Sequence, residues 1–166
     1  MWLDLINIID MPGSRKAFEC ELDVAALDFP SVEEFKSAPK AKGEVVNTAG
    51  LITLVGEIEA EMICVCDRCG KQFESTKIQE VELTLADNPE DEENPDIYVI
   101  EGNGIDVSEI LETSFILDME TKFLCTEDCK GLCGICGKDL NEGPCNCSKP
   151  IDPRLAVLGQ LLDIED

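Results

Sequence analysis

Four close pairs of cysteine carry the chemistry available to this chain. Two of them, Cys66-Asp-Arg-Cys69-Gly70-Lys71 and Cys133-Gly-Ile-Cys136-Gly137-Lys138, share the form Cys-x-x-Cys-Gly-Lys. The other two are Cys125-x3-Cys129 and Cys145-Asn-Cys147. Two thiolates separated by two residues, followed by a glycine that tolerates positive φ, can turn both sulfurs toward one tetrahedral ion. Each such turn needs a second pair to complete four-coordination. Eight of the ten cysteines therefore suffice for two closed all-sulfur sites, the arrangement of structural zinc. The chain contains no histidine. That removes the histidine-containing ligand sets of catalytic zinc, and with them the commonest general base.

Spacing leaves the partition of ligands open. Cys133, Cys136, Cys145 and Cys147 form a compact set that could close around one ion, with Cys125 and Cys129 reaching back to Cys66 and Cys69. The same spacing permits Cys66 and Cys69 to join Cys145 and Cys147 instead. Two other chemistries use such ligands. A Cys-x-x-Cys redox centre wants a βαβ setting and a helix N-terminus to depress the thiol pKa, whereas the first pair here lies between strands. Cys129-x3-Cys133-x2-Cys136 matches the three-cysteine spacing of radical iron–sulfur enzymes, yet only 30 residues follow Cys136, and ferredoxin spacing does not fit. Cys20 and Cys64 stand apart in apolar rows and read as small buried hydrophobes. Ser14, Ser31, Ser108 and Ser114 lack nucleophile-elbow flanks and a histidine partner, and no phosphate-binding loop is present. The expectation is a protein that is not an enzyme and takes no small-molecule substrate.

With 166 residues and 44% hydrophobic content, the chain can bury one sizeable core, alone or with a small appended module. No run of about 18 apolar residues is present to span a membrane. Met1 to Asp10 carries Asp4, Asn7 and Asp10 without a basic start, which is unlike a signal peptide, so a cytoplasmic location is expected. Thiols stay reduced there, and clustered cysteines are metal ligands more often than disulfides. The net charge is −23, and each all-thiolate zinc site would add about −2. Nucleic-acid binding rests on Lys and Arg neutralising phosphates. A surface this acidic suits a basic protein, or RNA only through a local patch.

The elements that must position the cysteines read as an α+β fold built on an antiparallel sheet. Residues 1–9 and 17–24 read as strands around the turn Pro12-Gly13-Ser14. Phe29 to Gly43 reads as a connector with room for one helical turn. Leu51 to Val65 alternates Ile52, Leu54, Ile58, Ala60, Met62 and Cys64 against Glu57, Glu59 and Glu61. Phe73 to Leu85 alternates Val81, Leu83 and Leu85 against Glu80, Glu82 and Thr84. Together they predict a long hairpin with the first Cys pair at its tip. Asp87 to Asp96 is an acidic, proline-containing loop, and Ile97 to Ile100 a short strand. Asp106, with Glu109 three residues on, opens a helix to about Thr121 whose apolar face holds Val107, Ile110, Leu111, Ser114, Leu117 and Phe115. Asp152-Pro153 opens a last helix bearing Leu155, Leu158 and Leu162. The division expected is an antiparallel-sheet domain over 1–122 and a cysteine-rich zinc module over 123–166 packed on it.

The ordered set of motifs resembles a known family. Cys66-x-Arg68-Cys69 closes a long strand. Cys125-x3-Cys129-Lys130-Gly131-Leu132-Cys133-x-x-Cys136-Gly137, Leu140-Asn141 and Cys145-x-Cys147 follow, and Asp152-Pro153-Arg154 opens a leucine helix. This order resembles the YceD family, named for accumulation of large-subunit ribosomal RNA, over roughly residues 45–162. The resemblance implies a bacterial cytoplasmic factor, without established enzymatic activity, that promotes synthesis, processing or stability of the large-subunit rRNA. Many knuckles of this type carry proline after the first cysteine; Asp67 and Gly134 stand there instead. Two modes of action are open. Arg68, Lys71, Lys130 and Lys138, all close to ligand cysteines, could grip rRNA or a pre-ribosome, or could simply support the thiolates as outer contacts. Alternatively, the acidic surface meets a basic ribosome-assembly protein.

Overall fold

The computed structural model describes residues 1–86 and 97–147. Its centre is a hairpin of two fifteen-residue strands, β5 (Leu51–Val65) and β6 (Gln72–Ala86), paired antiparallel from Ile52↔Leu85 to Val65↔Gln72. The alternation read from the sequence places Ile52, Leu54, Ile58, Ala60, Met62 and Cys64 in the core. On β5's other edge, β4 (Lys40–Thr48) covers the first half and β3 (Val32–Phe35) the second. Outside β4 lies β2 (Arg15–Glu21), paired from Arg15↔Val46 to Glu21↔Lys40. A separate two-stranded ribbon joins β1 (Trp2–Asp4) to β8 (Gly104–Asp106). Two α-helices, α1 (Ile6–Ile9) and α2 (Val107–Leu117), and a single 3-10 turn at Val24–Ala26 belong to the described fold.

One face of the sheet is buried and the other faces water. On the inner face, α2 brings Val107, Ile110, Leu111 and Phe115 to the core. Phe115 stacks edge-on to Phe29 at 6.2 Å between ring centroids, and tilted to Phe35 at 6.5 Å. The Asp106 side chain caps α2 by accepting from the N–H groups of Ser108 and Glu109, satisfying donors that a helix start leaves open. It also receives the N-terminal ammonium of Met1 at 2.8 Å.

Four expectations are corrected. Residues 1–9 do not form one strand, because the chain leaves β1 and turns into α1, where Asn47 Nδ2 donates to the carbonyls of Ile8 and Ile9. The connector 29–43 contains strand β3 and the start of β4 rather than a helical turn. A register shift between Val32 and Glu34 breaks the period-two pattern that would have marked β3. The sheet is not purely antiparallel: β7 (Ile97–Val99) pairs parallel with Thr84, Leu85 and Ala86. Helix α2 stops at Leu117, whose side chain is 78% exposed, and not near Thr121. The acidic loop 87–96 and the helix expected after Asp152 lie outside the described residues.

β6 departs from a simple apolar inner row at two positions. Lys77 and Gln79 point inward and are buried, while Ile78 is exposed on the outer face. Lys77 Nζ donates to the Asp118 carbonyl oxygen at 2.9 Å and pairs with Asp118 Oδ2 at 2.9 Å and Glu120 Oε1 at 3.1 Å. Burial works against the ammonium, but these carboxylates outweigh it and hold the lysine pKa above its ordinary value. A cation at the C-terminal end of α2 also complements the helix dipole. On the outer face, Glu57 stands directly opposite Glu80, a like-charge pair that opposes the sheet. Replacing Lys77 by Ala should remove its bonds to the exposed Asp118 and Glu120 and lower stability by about 0.5–1.5 kcal/mol, whereas Glu80→Lys should raise it by roughly 0.2–1 kcal/mol. Urea unfolding of the two variants checks both signs.

Candidate metal centre

Each knuckle is a short backbone circuit. In the first, Cys66 N–H donates to the Lys71 carbonyl at 2.9 Å and Gly70 N–H to the Cys66 carbonyl at 2.8 Å. In the second, Cys133 N–H donates to the Lys138 carbonyl at 2.8 Å and Gly137 N–H to the Cys133 carbonyl at 2.9 Å. Gly70 and Gly137 take φ of 69° and 72°, so the glycine shared by both motifs occupies the left-handed position that the turn demands. The first circuit closes β5 onto β6. The second is closed by an isolated bridge, Leu132↔Asp139.

The folded chain brings the sulfurs together as Cys66, Cys69, Cys125 and Cys129, and as Cys133, Cys136, Cys145 and Cys147, with all ligand atoms of a group within 4.8 Å of one another. This is the first of the two partitions that spacing allowed. Across the first group, Cys66 Sγ lies 3.7 Å from Cys129 Sγ, and Cys69 Sγ lies 3.6 Å from Cys125 Sγ. Four sulfurs about 2.3 Å from a zinc ion would form a tetrahedron with edges of about 3.8 Å. The donor sets thus fit a tetrahedral, sulfur-seeking metal ion, and both clusters could hold one. The first is largely buried; in the second, Cys136 and Cys147 are exposed. All ten cysteines are free thiols. Cys64 is buried and Cys20 half-buried, and burial, the main cause in each, pushes their thiol pKa up.

The thiols within a group are unequal. Burial raises the Cys66 thiol, but the N–H groups of Cys125, Cys69 and Arg68 prevail and pull it down to about 6. The N–H groups of Cys136 and Ile135, helped by the Cys145 thiol, bring Cys133 to about 6 as well. For Cys69, the Lys71 N–H favours the thiolate, yet burial and the thiols of Cys66, Cys125 and Cys129 push it up to about 12. The neighbouring Cys136 does the same to Cys147, also to about 12. One thiolate per group is accommodated by backbone donors, and further ones repel it. A divalent cation is what allows all four to ionise together.

Backbone contacts join the hairpin tip to the tail. Asp67 N–H donates to the Phe123 carbonyl at 2.9 Å, and Asp67 Oδ2 accepts the Phe123 N–H at 2.6 Å. Asp67 Oδ1 accepts from Ser31 Oγ, and that bond, with the Phe123 N–H, holds the carboxyl below its ordinary pKa. Proline at this position would lack the N–H, so the departure from the usual knuckle pattern marks a docking residue that spacing alone did not single out. Arg68 donates to the Cys129 carbonyl at 2.7 Å, and its own carbonyl accepts the Leu132 N–H at 3.1 Å. Gly131, at φ 71°, lies so near that a Cβ there would sit 2.8 Å from the Arg68 carbonyl oxygen. Asn141 Nδ2 donates to Cys129 Sγ at 3.4 Å while its Oδ1 accepts the Lys130 N–H at 2.8 Å. Lys138 Nζ donates to the Pro144 carbonyl at 3.0 Å, and Lys71 and Lys130 are exposed.

A mixed, mainly antiparallel sheet whose hairpin tip shares a four-cysteine group with an irregular tail defines the class of protein. Residues 54–162 match the family described as large ribosomal RNA subunit accumulation protein YceD, and the chain belongs to that family. It is similar to "Uncharacterized protein YlbN" of Bacillus subtilis (strain 168), with 29% identity over 139 residues, 78% of this chain and 77% of that protein. No solved structure matches it. No helix among the described residues is long and apolar enough to cross a membrane.

Two outcomes test the site. In reduced protein freed of metal, alkylation of the half-buried Cys133 by iodoacetamide should follow an ionisation near pH 6, while Cys66, equally depressed but buried, should react little; an unperturbed thiol would show about 8.5. Because these pKa values are depressed on folding, their contribution to stability is complete above the ordinary thiol value and fades as pH falls through 6. Gly131→Ala should strain both the left-handed backbone and the Arg68 contact. It should cost about 1 kcal/mol or more, read as earlier thermal unfolding and faster loss of bound metal to a chelator.

Proposed function

We propose that this protein is a non-catalytic, zinc-binding factor of ribosome biogenesis. In the bacterial cytoplasm it supports synthesis, processing or stability of the 23S (large-subunit) rRNA. The observation that carries this reading is the family match, which runs from β5 through every cysteine of both groups. Zinc is favoured over other sulfur-seeking ions because each donor set is four thiols with no histidine in the chain, the closed coordination of structural sites. A redox dithiol needs a reactive sulfur left free, and coordination by four cysteines leaves none.

Contact with a ribosome-assembly protein or with protein of a pre-ribosome is the mode that the charge supports. The chain carries −23 overall. Of the four cations near the ligand cysteines, Arg68 and Lys138 already donate to backbone carbonyls of the tail, which makes them supports of the knuckles. Lys71 and Lys130 are what is left of an rRNA patch.

Reductively purified protein should contain two zinc ions and be colourless, with Cys133→Ser retaining one; brown protein with visible absorption would indicate an iron–sulfur cluster and end the zinc reading. In cells, removal of the chain should lower the ratio of large-subunit to small-subunit rRNA. Restoration by Lys71→Glu/Lys130→Glu protein favours a protein partner over direct rRNA contact, and failure to restore favours rRNA.

A further inference from the structure

β6 carries a long edge that the described fold does not use. One edge pairs with β5 along its whole length, and the other meets β7 only at Thr84, Leu85 and Ala86. From Gln72 to Leu83 no backbone partner lies on that side among the described residues. In an antiparallel pair, alternate residues turn their N–H and C=O groups away from the partner strand. Such an edge is a template for another strand.

Three further features lie along the same stretch. A shallow groove between β6 and the end of α2 is lined by Gln79, Leu83, Tyr98 and Leu117, with the carboxylates of Glu82 and Asp118. Leu117 is 78% exposed. Gln79 is only 7% exposed; its Nε2 donates to the carbonyl and hydroxyl oxygens of Ser114, and its Oε1 receives no hydrogen bond. A buried acceptor without a donor keeps its desolvation cost uncompensated, and a donor from an incoming chain would relieve it. The outward row of β6 presents Glu80 and Glu82 beside the exposed Ile78, with Glu80 facing Glu57, while Glu74 further along is paired with Lys36 at 2.7 Å.

We propose that the edge of β6 that the described residues leave unpaired, with the groove beside α2, takes up an extended Lys/Arg-containing segment of a protein partner by strand addition. Main-chain bonds to β6 fix the segment. Alternate side chains then fall on two faces: basic ones against Glu80 and Glu82, and apolar or donor ones against Leu117, Tyr98 and Gln79 Oε1. A second copy of this chain is the wrong occupant, because edge-to-edge pairing of β6 would set glutamates against glutamates on molecules of charge −23. The inference rests on the protein-partner reading above and locates its surface.

The test uses the full chain and a labelled peptide alternating Lys and Val, with a Glu/Val peptide of equal length as control. The Lys/Val peptide should bind and slow hydrogen exchange at alternate β6 amides between Thr76 and Leu83, and the control should do neither. Leu117→Asp, and separately Glu80→Lys/Glu82→Lys, should each weaken binding by about tenfold. The charge-reversed protein should be no less stable than the parent, since the Glu57–Glu80 opposition is gone. Absence of binding, or binding that leaves β6 amides unprotected, overturns the proposal. So does affinity indifferent to both variants. Cellular rRNA separates the two levels: if loss of the chain leaves large-subunit rRNA unchanged, the biogenesis reading fails while the peptide result can stand. If the charge-reversed protein restores rRNA fully without binding peptide, the docking surface fails and the biogenesis reading stands.

Discussion

The crowding of four thiols into each of two groups, where one thiolate discourages the next, is the constraint on which the rest of this structure depends. At its far end the hairpin β5–β6 keeps β3 on one side, from Val32↔Cys64 to Phe35↔Met62, and beyond that meets the knuckle and the tail segment around Cys125 and Cys129. That junction holds Cys66, Cys69 and Cys129 in a small cluster, joined by Phe73, Leu124 and Cys125 at its margin, separate from the main core. Such a cluster buries too little apolar surface to hold two chain segments together by the hydrophobic effect alone. Backbone donors stabilise one thiolate in each group, at Cys66 and Cys133, and the companion thiols resist ionising beside it. A metal ion held there would convert that resistance into cohesion. The close contacts of Asp67, Arg68 and Gly131 then set the orientation in which cohesion acts.

The sheet divides labour between its faces. Its inner face follows the ordinary logic of burial, with Leu54, Ile58, Met62 and Cys64 fully enclosed and an aromatic cluster seating α2. Its outer face is a field of glutamates, partly relieved by Lys42 with Glu57 and Arg15 with Glu44. These exposed pairs are worth little to stability. The excess of negative charge is a property of the surface and not of the fold, which is where a protein keeps features it uses toward partners.

Much of this was legible in the chain itself, and what was hidden has identifiable physical causes. β5 could be read because its apolar inner row recurs on both sides of Gly56, from Ile52 to Cys64, and the knuckles because Cys-x-x-Cys-Gly-Lys leaves few geometries. β3 was obscured by its bulge, and it exists because β4 reaches only to Glu59, leaving the end of β5 in need of a partner. The inward Lys77 and outward Ile78 invert the expected pattern, since the end of α2 offers Asp118 and Glu120 to a cation at that depth. Leu117 fits the helical apolar stripe by period, but the helix ends there and the residue falls beyond the core. The grouping of the eight cysteines depended on distances that no spacing specifies. The parallel pairing of β7 likewise had no local signature, for parallel partners are chosen by the path of the chain between them.

The two sulfur groups also differ in how far along the polypeptide they reach. Cys133 to Cys147 is one short contiguous run, while Cys66 and Cys129 are 63 residues apart. Ring-closure entropy grows with the logarithm of the enclosed length, and two doublings cost about 1 kcal/mol. The tail group can therefore assemble as soon as its own segment exists. The tip group closes only where the hairpin and α2 bring its halves together, so a metal ion held there would clasp everything that the longer loop encloses.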